Sequence, residues 1–195
     1  IARDHVNASD DALNQSKAAA LEMLKKTLAK GHVRAHKNLR NRIYRGGKCA
    51  EVISILMDDI IVELARFANN LLKGEDEQPI SFAIVAVGGY GRQRLAPGSD
   101  IDLLFITPPN ADKACLEVVE FILYMLWDMG LKVGHATRDV EDCIFQAKED
   151  MTIRTAMLES RFLTGDEVLF TKFRKKFAGK ILSGSARNFV KAKLD

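Results

Sequence analysis

Cysteine is scarce in this chain, with only Cys49, Cys115 and Cys143, far apart from one another. An odd, widely spaced set argues against a disulfide framework and fits reduced thiols of a cytoplasmic protein. No two of them have the C-x-x-C spacing of a thiolate metal site. Long apolar runs are absent as well. The longest, Phe121 to Trp127, falls far short of the roughly 20 residues that span a bilayer, and no signal-peptide pattern is evident. Neither sign of charge dominates: 29 basic against 26 acidic side chains leave a net +3. No basic stripe with interleaved aromatics appears, which excludes the usual nucleic-acid footprint. There is no internal repeat and no low-complexity tract. What remains is an ordinary apolar fraction, 47% of 195 residues, enough for one domain or one domain with a helical appendage.

The periodicity mixes helices with strands. Ser9-Asp10-Asp11 is a helix start, with Ala12 to Ala29 as the helix and Gly31 as its stop. A basic stretch follows, from Arg34 to Lys48, and reads first as a solvated helix face, with a surface that meets an acidic partner or phosphate as the alternative. Gly46-Gly47 breaks the pattern. Ala50 to Leu72 has apolar residues at helical spacing (Val52, Ile55, Leu56, Ile60, Leu64, Phe67). A polar loop, Gly74 to Pro79, precedes a strand over 81–87. A second strand over 101–107 is ended by Pro108-Pro109. Asp112 to Met129 reads as a buried helix with Gly130 as its stop, and its stripe of Phe121, Tyr124, Trp127 and Leu131 reads as core. A third strand over 131–138 and helices over 139–147, 152–163 and 167–177 complete the chain, with Asp150 and Asp166 as N-caps. The tail after Gly179 is polar and rich in small residues. The division expected is a helical segment over 1–78, a catalytic core over 79–140 and a helical segment over 141–195.

Chemistry concentrates between the first two strands. The first runs into Val87-Gly88-Gly89-Tyr90-Gly91-Arg92, and a short helical turn leads to Ser99-Asp100-Ile101-Asp102-Leu103-Leu104. Side chains alternate faces along a strand, so Asp100 and Asp102 point the same way, with Ile101 between them turned into the core. Two carboxylates on one face repel each other unless a positive group neutralises them. Mg²⁺ does so, taking one or two carboxylates together with substrate phosphates. The glycines let a backbone approach a triphosphate closely. The run matches neither the G-x-G-x-x-G dinucleotide fingerprint nor the P-loop. A tight turn is the plain reading of the glycines alone. Joined to D-x-D on an apolar strand, they point to a nucleotidyl-transfer site.

At these residues the chain resembles the nucleotidyltransferase superfamily that includes DNA polymerase beta. Within it, AVGGYGRQRLAPGSDIDLLFI is similar to the signature of bacterial PII uridylyltransferases, which are bifunctional uridylyltransferase/uridylyl-removing enzymes. FILYMLWDMGLKVGHATRDVEDC and EDMTIRTAMLESRFLTGDEVLF also resemble that family, and the likeness extends from about Gly31 onward. Two departures stand out: Gln93-Arg94 replaces a frequent Gly-Glu, and Gly98 replaces a larger residue before Ser99. The resemblance implies an α/β (α+β) fold, a small mixed sheet flanked by helices. It implies transfer of UMP from UTP to a tyrosine of the PII nitrogen-signalling protein, with release of pyrophosphate. It implies further domains, an HD-type hydrolase and glutamine-sensing ACT domains, that this chain lacks, so the sequence is expected to be an N-terminal fragment.

The candidate catalytic and metal-holding residues are therefore Asp100 and Asp102, with Mg²⁺ as the cofactor. Gly88, Gly89, Arg92 and Ser99 are the candidate nucleotide-binding residues. Arg92, within the signature, is favoured over Arg94 as the neutraliser of the triphosphate, and Ser99 reads equally as a phosphate donor or a turn cap. Members of the superfamily usually use a third carboxylate from a later strand, and here that strand offers none. His135 stands nearby but reads as structural, and Asp139 and Asp142 read as helix-start residues. Alternatives within the fold are a small-molecule or adenylyl transferase, and from another class a nucleotide-binding regulatory module without turnover. UTP and PII are the expected partners, glutamine an effector of the full-length protein only, with neither nucleic acid nor membrane.

Overall fold

The computed structural model describes residues 2–40, 46–73 and 79–182, with side chains over 13–37, 46–73 and 79–182. In order, the elements are α1 (Ala2–Arg40), α2 (Gly46–Leu72), β1 (Ala83–Ala86), α3 (Gly88–Gly91), β2 (Ile101–Thr107), α4 (Lys113–Asp128), β3 (Val133–Asp139), α5 (Val140–Glu149), α6 (Met151–Leu158), β4 (Arg161–Gly165) and α7 (Glu167–Phe177), the last extended by a π-helical turn at Ala178–Leu182. The sheet has the order β3-β2-β1-β4. β1 is antiparallel to both β2 and β4, whereas β2 and β3 run parallel, joined through α4. This is a mixed α+β fold with a small mixed sheet.

The alternation of β1 and β2 builds two cores. Ile84, Ala86, Ile101, Leu103 and Phe105 face α1, α2 and α4. Ala83, Val85, Leu104 and Ile106 face α5, α6 and α7. Both central strands are buried on both faces, which is why they read as nearly continuous apolar runs. Asp102 breaks the run on the α5–α7 side, one step before Leu104. Among the described residues, no helix is long and apolar enough to cross a membrane.

Several expected elements fall into place. β2 occupies 101–107 and α7 occupies 167–177 as read from the sequence. Asp150 and Asp166 cap their helices as expected, and Asp112 and Asp139, read only as helix starts, do the same, all four accepting from backbone N–H groups in the first turn. Gly130 follows α4 at φ +80°, the left-handed position that glycine favours after a helix.

Four readings need correction. Helix α1 does not stop at Gly31 but continues to Arg40. A Cβ at Gly31 would overlap the side chain of Leu56 on α2, so this glycine serves a close helix–helix approach rather than a cap. Gly46 and Gly47 open α2 instead of preceding it, and the buried stripe of that helix runs through Ile53, Met57, Ile60, Ile61 and Leu64, leaving Ile55 exposed. The stripe on α4 is only partly core: Tyr124 and Trp127 are 55% and 42% exposed. Their rings meet edge-on at 5.5 Å, and Trp127 in turn meets His135 at 5.7 Å. The helix expected over 152–163 is two elements, with α6 ending at Leu158 and β4 pairing against β1. Much of the loop over 74–79 and of the tail after Gly179 lies outside the described residues, as does part of the basic stretch.

Candidate active site

The site begins where β1 ends. Val87 is extended, and its N–H donates to Asp102 O at 3.1 Å, which ties the turn to β2. Gly88 then turns at φ +58°, a conformation an L side chain adopts only with strain. The one-turn helix α3 is closed by Gly91 N–H to Val87 O (3.0 Å) and Arg92 N–H to Gly88 O (3.2 Å), and Arg94 N–H reaches back to Gly89 O (3.1 Å). The loop that returns to β2 is anchored by Leu95, whose N–H donates to Ser54 Oγ at 3.0 Å. It turns at Gly98, φ +78°, so the larger residue common there in the resembling family would be strained in this backbone.

The two aspartates emerge from that loop. Asp100 is exposed, Ile101 is buried and Asp102 is half-buried, as strand alternation requires. Asp100, Asp102, Ser99, Gly89 and Arg94 line one open cleft of about 400 Å³. The carboxyl of Asp102 is pushed above the usual carboxylate range, first by burial and then by the charge of Asp100. Its two oxygens face glycines. A Cβ at Gly88 would lie 3.4 Å from Oδ2, and one at Gly134 would lie 2.5 Å from Oδ1. Gly134 is the partner of Asp102 in the β2–β3 register. It is a site residue that the sequence reading passed over. The signal was a glycine inside a strand, which often marks a close approach.

The two arginines part company. The guanidinium of Arg92 pairs with Glu159, while Arg94 lines the cleft. His135 packs against Trp127 and is exposed, and Asp139 accepts from Asp142 N–H at 2.8 Å as a helix cap. Among the described residues, no group of three His, Cys, Asp or Glu side chains is placed to hold a metal ion.

A second groove, of about 350 Å³, runs from Asp102 along β2 and β3 beneath α6. Its lining is mostly apolar (Val87, Leu104, Ala136, Ile153 and Met157), with Arg138 farther along. Asp102 borders both cavities and, among the described residues, is the only carboxylate lining the groove. A polar, glycine-edged cleft on one side of a carboxylate and an apolar groove on the other suit a substrate that is part polyphosphate and part ring.

Residues 70–163 match the family model described as nucleotidyltransferase domain. The match supports the nucleotidyltransferase superfamily. The matched segment runs from the end of α2 into β4 and so contains β1, β2, β3, the first part of β4, the glycine turn and both aspartates. The α+β architecture is consistent with the polymerase beta-like fold. The match supports a transferase activity on nucleotides in general, and nucleotidyltransferase domains commonly use divalent metal ions.

Proposed function

We propose that this chain transfers UMP from UTP to a tyrosine of the PII nitrogen-signalling protein, releasing pyrophosphate. One observation carries the nucleotidyl-transfer part: Asp100 and Asp102 line a single cleft with Gly89 and Ser99. The choice of UTP and PII rests on the likeness of the GGYGR and SDIDLL stretches, and of the later helices, to PII uridylyltransferases.

Asp100 and Asp102 suit Mg²⁺, because the raised carboxyl of Asp102 marks concentrated negative charge that a cation relieves. When bound, the ion would supply charge neutralisation for the phosphates and a lowered pKa for the attacking hydroxyl. Gly88 and Gly89 let the chain lie close to the triphosphate, Arg94 faces it from the cleft wall, and Ser99 donates to it. Arg92, paired with Glu159, holds the turn from behind. The phenolic oxygen bonds to the α-phosphorus, the bond from that phosphorus to the bridging oxygen of pyrophosphate breaks, pyrophosphate leaves with that bond's electron pair, and the phenolic proton passes to solvent water. Most of the rate comes from positioning and charge.

The test is direct. The chain is incubated with PII, Mg²⁺ and labelled UTP or ATP, beside an Asp100→Asn/Asp102→Asn variant. Label from UTP on PII, absent with the variant, is the expected result. Label from ATP instead assigns an adenylyltransferase. Metal-dependent nucleotide binding without transfer assigns a binding module, and no such binding at all defeats the site.

A further inference from the structure

Behind the glycine turn lies a polar cluster that the transfer chemistry does not use. Asp58, on α2, receives a two-pronged ion pair from Arg161 at the start of β4: Nη1 to Oδ2 at 2.7 Å and Nη2 to Oδ1 at 3.0 Å. The hydroxyl of Tyr90 donates to the same Oδ1 at 2.7 Å. Tyr90 itself is 1% exposed. Arg161 also donates to the turn, from Nη2 to Tyr90 O (3.2 Å) and from Nε to Gly91 O (3.3 Å). Its guanidinium carbon stands 5.4 Å from the centre of the Tyr90 ring. A Cβ at Gly91 would collide with the backbone carbonyl of Glu159, and Glu159 pairs with Arg92. The second half of α3, Tyr90 and Gly91, is thus gripped through side chain, backbone and ring by Asp58 of α2, Arg161 of β4 and the Glu159 carbonyl.

A single helical turn has almost no stability of its own, since nucleation fixes several dihedrals for one hydrogen bond. Its orientation must come from outside. An arginine fork that satisfies a carboxylate and two carbonyls together defines one geometry, which a flexible ammonium would not.

We propose that Arg161 and Asp58 are positioning residues of the nucleotide site: they set the angle of the Gly88–Gly91 turn beside Asp102 and so govern affinity for the polyphosphate part of the nucleotide. The proposal rests on the site reading given above. Neither residue lines the cleft, so neither touches the ligand. The network acts through Tyr90 and the carbonyls of Tyr90 and Gly91.

A purely supporting role would lower stability, or weaken all ligands alike. A positioning role weakens triphosphate selectively. Binding of Mg²⁺–UTP and of UMP is measured by displacement of a fluorescent UTP analogue, for the wild type, Arg161→Lys and Tyr90→Phe, with thermal melting alongside. Arg161→Lys is expected to weaken UTP at least tenfold while UMP changes less than twofold; Tyr90→Phe, which removes one hydroxyl, is expected to weaken UTP about threefold. If Arg161→Lys does not fold, because a lysine leaves the half-buried Asp58 poorly paired, the Asp58→Asn/Arg161→Gln variant removes both charges and carries the same comparison. Equal losses for UTP and UMP, no loss in a folded variant, or failure of every variant to fold would each overturn the proposal. A wild type that binds UTP with Mg²⁺ while the variants are unaffected sinks the positioning role and leaves the site standing. A wild type that binds neither nucleotide sinks both.

Discussion

Asp102 combines partial burial, a like charge beside it and a glycine against each oxygen. Its carboxyl holds a proton more tightly in the folded chain than in the unfolded one, so the folded state binds more protons between the two pKa values. Stability contributed by such a group falls as pH rises through that interval, the reverse of a salt-bridged aspartate. Asp102→Asn should therefore raise the melting temperature at neutral pH in metal-free buffer. Discounted for the water that still reaches the group, a rise of about 1–3 °C is expected. The gain should vanish below the ordinary carboxylate range, where both states are protonated, and a lower melting point for the variant at pH 7 would contradict the electrostatic account. Gln93 makes a second case. It stands at φ +56°, left-handed backbone that costs a non-glycine residue about 1–2 kcal/mol, at a position where the resembling family often has glycine. Gln93→Gly should stabilise by about 0.5–1 kcal/mol after the loss of chain entropy in the unfolded state, measured by urea denaturation. The aspartate pair was legible from sequence because strand alternation is local. Gly134 and Arg161 were not, because their roles depend on which strand lies beside β2 and on what lies behind the turn, and no local pattern carries that register.

At the scale of elements, the sequence speaks clearly where a helix or strand is capped by its own residues. Asp112, Asp139, Asp150 and Asp166 mark four helix starts because an N-cap aspartate bonds to amides two or three residues on. It speaks poorly where a neighbour decides. Gly31 has the look of a helix stop, yet α1 passes through it because the glycine lets Leu56 of α2 approach. Gly31→Ala improves intrinsic helix propensity by about 1 kcal/mol but drives a methyl into Leu56, and overpacking costs about 1–3 kcal/mol. The expected net effect is a loss of about 1 kcal/mol, and the Gly31→Ala/Leu56→Ala double variant should recover most of that component in a double-mutant cycle. Additive losses in the cycle would show that the two residues do not touch. β4 was hidden for a related reason. Its residues from Arg161 to Thr164 are all half-buried, so they lack a two-fold pattern, and they follow α6 with only Glu159 and Ser160 between. What makes the segment a strand is the open edge of β1, which local periodicity does not reveal. Tyr124 and Trp127 show the opposite failure: aromatic character suggested core, but the sheet ends at β3 and leaves that side of α4 uncovered.

The whole molecule is one sheet serving two cores, and the three thiols sample both. Cys49 and Cys115 lie in the core shared with α1, α2 and α4, and Cys143 lies in the core beneath α5–α7. All three are buried and none is in a disulfide, as their spacing implied. Burial pushes the thiol of Cys115 up to about 11, with Asp112 adding to it, and that of Cys143 up to about 12. The thiolate is the reactive species. A thiol moved from 9 to about 12 carries roughly a thousandfold less thiolate at neutral pH, which slows Cys115 and Cys143, and Cys49 is shielded by burial, so the folded protein should show no fast-reacting cysteine towards an aromatic disulfide reagent. Denatured protein should show all three. The slow reaction in native buffer then measures opening of the structure. Alternate residues of β1 and β2 belong to opposite cores, so one face cannot loosen without disturbing the strands that hold the other. The three thiols should therefore react at one common rate, and that rate should slow together when Mg²⁺ and UTP are added, because a ligand bound only by the folded state suppresses opening by its own mass action. Cys143 reacting well ahead of the other two would mean that the α5–α7 layer opens as a separate unit. The Asp100→Asn/Asp102→Asn variant, which lacks the carboxylates that would hold the ion, should still show one rate shared by the three thiols, slowed in line with its higher melting temperature, and lose its response to nucleotide.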